Sequence, residues 1–113
     1  MTFRIALERL RAYEPRALIM GVYRNEAGCC AVGACVPQVA QRSFDCAREK
    51  APLPTSGTWF FATASAELGM DYNEVTRLVD ENDRCGDTRA ERYARVLAWL
   101  EARVAEEDSR SER

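Results

Sequence analysis

The chain has 113 residues, 16 basic and 18 acidic side chains, a formal charge of −2, 47% hydrophobic and 30% charged residues. This is the composition of one soluble globular domain. It excludes a bilayer-spanning segment, because no apolar run approaches the necessary length. It offers neither the basic surface of an evident nucleic-acid binder nor the acidity of a DNA mimic. Histidine is absent, which removes the commonest general base and the commonest zinc ligand.

Thr2 is a good N-cap for a first helix over residues 3–13, in which Phe3, Ala6, Leu7, Leu10 and Tyr13 recur at helical spacing. Pro15 closes it. Residues 17–23 form a short apolar run that periodicity does not assign, and Asn25-Glu26-Ala27-Gly28 is turn chemistry. The small-residue run Cys29–Val36 is consistent with a strand pairing back on residues 18–23 as a hairpin. It is equally consistent with a short buried helix, which is the preferred reading. Pro37 is expected to stop either one.

Residues 37–57, with Pro37, Pro52, Pro54 and Gly57, form the least organised stretch. A short helix near Phe44–Glu49 and a loop over 51–57 are the expectations there. The C-terminal half is plainly helical. Thr58 precedes a helix with Trp59, Phe60, Ala62 and Leu68, ended by Gly69 at C′. Asp71 and Glu74 form a capping box opening a helix over 72–81, and Thr88 and Glu91 form a second. Residues 82–87 read as a loop. The last helix, 89–104, carries Tyr93, Val96, Leu97, Leu100 and Val104 in one stripe. Residues 105–113 read as a polar, frayed tail. The expected fold is therefore mainly α: a single domain over 1–104, a bundle of four to six helices, with a short hairpin within 18–36 as the variant.

Five cysteines, Cys29, Cys30, Cys35, Cys46 and Cys85, occur without an export signal at Met1-Thr2-Phe3-Arg4-Ile5. Reduced cytoplasmic thiols follow. No pair has Cys-x-x-Cys spacing, so neither metal nor cofactor is expected. A helix beginning near Cys29 or Cys30 would lower a thiol pKa, but no histidine is present to activate it. The acids Asp80, Glu81, Asp83 and Asp87 read as caps and a solvated face rather than an acid–base pair. The segment Ser65–Val75 has the spacing of a helix-turn-helix. Its second helix, however, offers only Tyr72, Asn73, Thr76 and Arg77 before Asp80-Glu81, a poor match to phosphates.

Trp59, Phe60 and Phe61 are consecutive, so one helix face cannot bury all three. Trp99 lies about 120° from the apolar stripe of the last helix. It is flanked by Arg92, Arg95 and Arg103, and an aromatic ring among arginines is the composition of a protein-docking patch. All but one of the basic residues are arginine, the exception being Lys50.

The segment Gly28-Cys29-Cys30-Ala31-Val32-Gly33-Ala34, with Asn82-Asp83 and then Arg92…Leu97-Ala98-Trp99-Leu100, resembles a group of small bacterial and phage proteins of unknown function. These share a Cys-Ala-apolar-Gly-Ala segment and a later Asn-Asp ahead of a final amphipathic helix. The resemblance covers roughly residues 28–36 and 75–101. It implies a small helical cytoplasmic protein in which Cys30, Gly33, Asn82 and Asp83 are the shared positions, and it implies no activity. The expected function is non-catalytic: docking on another protein to modulate or inhibit it, as a phage-borne inhibitor of a host defence complex would. The alternatives are a helix-turn-helix DNA-binding regulator and, further off, a thiol- or carboxylate-dependent enzyme. No membrane partner is expected.

Overall fold

A computed structural model describes residues 3–20, 23–49, 58–84 and 88–111. The chain runs α1 (Arg4–Ala12), β1 (Arg24–Asn25), β2 (Gly28–Cys29), α2 (Ala31–Cys35), α3 (Pro37–Glu49), α4 (Thr58–Leu68), α5 (Tyr72–Asn82) and α6 (Arg89–Ser111). It is a small helical domain with one antiparallel hairpin, Arg24 facing Cys29 and Asn25 facing Gly28. No helix among the described residues is long and apolar enough to cross a membrane.

The helices legible from periodicity bury the faces they advertise. Ala6, Leu7 and Leu10 of α1 meet Tyr93, Val96, Leu100 and Val104 of α6, and Leu78 and Val75 of α5, in one core. The Tyr93 hydroxyl donates to the Leu10 carbonyl at 2.8 Å, closing α1 onto α6. Thr2 lies outside the described residues, and Phe3 occupies the N-cap of α1 without a side-chain cap bond. Gly69 ends α4 with φ +63, a left-handed conformation in which a Cβ is strained. Both capping boxes form: Asp71 with Glu74, and Thr88 Oγ1 accepting from Glu91 N while Glu91 Oε1 accepts from Thr88 N. The three consecutive aromatics divide as geometry demands: Phe60 is in the core and Trp59 and Phe61 pack half-buried at its edge.

Four expectations are corrected. Pro37 ends α2, whose last residue is Cys35, and is also the first residue of α3, the position where a missing N–H costs nothing. Residues 37–49, expected to be loosely organised, are thus a continuous helix, while the loop expected over 51–57 lies outside the described residues. The hairpin and the helix were posed as alternatives for residues 18–36, yet both are present in succession: the hairpin is confined to 24–29 and the helix to Ala31–Cys35. Asn82 is not in a loop but ends α5, with Asp83 as its C-cap. Finally, α6 runs past Val104 to Ser111. Its last turns are held by the other end of the chain: Phe3 N donates to Glu107 Oε1 at 2.8 Å, and Arg4 pairs with Asp108.

Candidate functional site

Two constellations emerge, one buried and one exposed. The buried one gathers the positions singled out by the resemblance. Cys30, a buried residue, is the N-cap of α2. Asn82, 1% exposed, projects from the end of α5 to this point. Its Oδ1 accepts from Ala31 N at 2.9 Å, so an asparagine 51 residues away caps α2. Its Nδ2 donates to Ile19 O and to Asp83 Oδ1, both at 2.9 Å. A Cβ on Gly33 would fall inside van der Waals contact of the Tyr23 carbonyl oxygen, which itself accepts from Cys30 N. Glycine is the residue that lets α2 lie this close to the strand before it.

Arg92 belongs to the same knot. It is 6% exposed, and its Nη1 donates to Leu18 O at 3.0 Å. Leu18 N donates to Arg89 O, and Ile19 N donates to Cys29 O. Every backbone polar group of Leu18 and Ile19 is therefore met, although neither residue lies in a helix or strand. Arg92 was expected on a docking patch; burial removes it from that patch and makes it a structural residue.

The thiols in and beside this knot are held protonated. Burial pushes Cys30 and Cys35 up to about 12 from the usual 9, overriding the helix terminus at Cys30. Cys35 Sγ donates to Ala6 O at 3.4 Å. The half-buried Tyr13 is also pushed up to about 12, first by burial and then by its hydrogen bond with Cys29. Among the described residues, no group of three or more His, Cys, Asp or Glu side chains is placed to hold a metal ion.

The exposed constellation lies where α5 and α6 pack. A groove of about 350 Å³ is lined by Arg77, Asp80, Glu81, Arg84 and Trp99. The Trp99 ring is half-buried, meeting the buried Phe3 ring edge-on at 5.2 Å between centroids. The Arg77 guanidinium lies over both rings, 5.6 Å from Trp99 and 5.7 Å from Phe3, and Arg103 lies 5.5 Å from Trp99. Arg95 is engaged internally, bonded to the Glu81 carbonyl and paired with Glu81 Oε1 at 3.0 Å. Arg103 pairs with Glu106 at 2.8 Å. Glu81 is only 12% exposed and also faces Arg84.

Among the described residues, Arg77 makes only its ring contacts and Asp80 makes no ion pair or hydrogen bond. The residues facing outward with unused charge are thus Arg77 and Asp80, on α5, rather than the α6 arginines flanking Trp99 in sequence. Trp99 stands off the apolar stripe of α6, but the charges beside it in space belong to the neighbouring helix. The signal available was the i, i+3 pair Arg77 and Asp80 on the exposed side of α5.

A second cleft, of about 510 Å³, lies among Arg9, Tyr13, Cys35, Pro37, Gln38 and Glu67. Arg9 spends its donors there on Cys35 O at 3.0 Å and Glu67 at 3.4 Å. Comparisons with protein-family models, curated proteins and solved structures find no match.

Proposed function

We propose that this chain is a non-catalytic protein-binding module that docks on its partner through the α5/α6 face centred on Trp99, and so modulates or inhibits that partner. The observation that carries this reading is the groove itself. A half-buried tryptophan is stacked against a guanidinium that has no carboxylate partner within the described residues. An aromatic anchor with an adjacent, incompletely satisfied arginine is the composition of an interface hot spot. The buried, protonated thiols support a non-catalytic role, since the thiolate is the nucleophilic form. The α4–α5 corner has the short turn of a helix-turn-helix. Its exposed ridge, however, sets Asp80 beside Arg77, where a phosphate backbone would be repelled. The reading places the protein in the cytoplasm, and a phage-borne inhibitor of a host defence complex is its most specific form.

The test is affinity capture from the native host with the wild-type chain and with Trp99→Ala, followed by mass spectrometry and by titration of the captured protein. Trp99 shares its packing between Phe3 and solvent, so the variant should melt slightly earlier, at a cost of about 1–2 kcal/mol. It should also lose the captured protein, with affinity falling by about 2 kcal/mol or more. Equal capture by both chains, with the variant folded, overturns the reading. A sequence-selective duplex-DNA complex lost on Arg77→Ala would replace it with the regulator.

A further inference from the structure

The exposed ridge of α5 consists of Asn73, Arg77 and Asp80, with Arg84 just past the C-cap, all outside the core. At helical spacing the three ridge residues fall within an arc of about 60°. Val75, Leu78 and Asn82, on the opposite side, are buried. The ridge borders the Trp99 groove at Arg77 and Asp80. Its central pair has opposite sign, and neither Arg77 nor Asp80 forms an ion pair among the described residues.

A surface with an unpaired cation one turn from an unpaired anion is its own complement under a twofold axis. If α5 runs antiparallel to α5 of a second copy, with the axis between positions 78 and 79, Arg77 of each copy faces Asp80 of the other. Parallel alignment would set each arginine against itself.

From this we infer that the occupant of the α5 side of the groove is a second copy of this chain, held by two reciprocal Arg77–Asp80 pairs beside Trp99. The inference rests on the reading of the α5/α6 face as a docking surface and adds a second copy as an occupant of its α5 side. Two exposed ion pairs and one aromatic rim make a weak, salt-sensitive dimer.

Sedimentation velocity of the purified chain, from about 1 to about 100 μM, tests this. The wild type should pass from monomer to dimer over that range, and high salt should weaken the dimer. Arg77→Asp and Asp80→Arg should each be folded by circular dichroism and at least tenfold weaker in self-association, because each opposes like charges across the axis. A mixture of the two variants should recover the dimer, since every reversed side chain then faces one of opposite sign. Should either single variant fail to fold, the double variant carrying both changes keeps the original net charge and should dimerise like the wild type. A wild type that stays monomeric throughout overturns the inference. So does a folded single variant that dimerises undiminished, or a folded mixture or double variant that stays monomeric. A monomeric wild type that still loses its captured protein on Trp99→Ala overturns self-pairing alone and leaves the docking reading standing.

Discussion

The knot around α2 and the groove between α5 and α6 are built from the same kinds of residue, and they differ in what those residues have left to offer. In the knot, Asn82 and Arg92 hydrogen-bond the backbone of Ile19, Ala31 and Leu18. In the groove, Arg77 stacks on rings and Asp80 stands in solvent. Buried polar side chains that meet backbone groups specify a fold. Exposed ones without internal partners stabilise little and are available to something else. Residue type alone does not distinguish the two, because arginines appear in both.

The sharpest way to break this contrast is Asn82→Ala. It strands the Ala31 N–H and the Ile19 carbonyl inside the protein, and each such group costs about 1–3 kcal/mol. We expect a loss of about 3–4 kcal/mol and a melting temperature lower by more than about 10 °C. Asn82→Asp can still accept from Ala31 N but cannot donate to Ile19 O, so it should not rescue. A melting curve unchanged by Asn82→Ala would mean the knot does not hold the fold.

Next in size is the comparison of two arginines from one flank of α6. Arg92→Ala should destabilise by about 2–3 kcal/mol, because a buried carbonyl loses its charged donor. Arg103→Ala should cost less, about 1 kcal/mol, since its partner Glu106 is half exposed and the change leaves no buried carbonyl without its donor. Chemical denaturation of both variants sharpens the division. Equal losses would erase it.

A separate test of the knot lies in the pH profile. Cys30 and Cys35 hold their protons more tightly in the folded chain than at the usual 9. Their contribution is full below pH 9 and is lost as the pH rises toward about 12, because the unfolded chain deprotonates first. Each thiol therefore lowers the stability as the pH rises across that window. Urea midpoints should therefore fall steadily between about pH 9 and about pH 10.5, and Cys30→Ala with Cys35→Ala should flatten the slope. A thiol reagent at neutral pH should modify Cys30 and Cys35 only as the chain unfolds.

Much of the architecture was legible because four helices carry their own signals. The stripes of α1 and α6, the box at Asp71 and the glycine at 69 are local features, and local physics fixes them. Residues 18–36 were not, because their backbone is satisfied by side chains at 82 and 92, which no window of sequence brings together. Pro37 ends α2 as its chemistry predicts, but a proline also opens a helix with ease, and only the tertiary path of the chain shows that α3 starts there. At the surface, Trp99 stood out by its angle on α6. The α6 arginines beside it in sequence are largely engaged with Leu18, Glu81 and Glu106, and the free charge came from α5.

The cap that Asn82 places on α2 also constrains the order in which the chain can fold. α1 and the α4–α5 corner contain their own short-range contacts and can form early. The stretch from Leu18 to Cys35 needs residues 82 and 92, so its native bonds close loops of 51 and 74 residues. Such closures come late, after the transition state has assembled the helices that carry them. Asn82→Ala should therefore speed unfolding far more than it slows refolding, with a φ-value near zero. On a ribosome, this region would wait, its small residues and thiols exposed, until α6 had emerged to receive it.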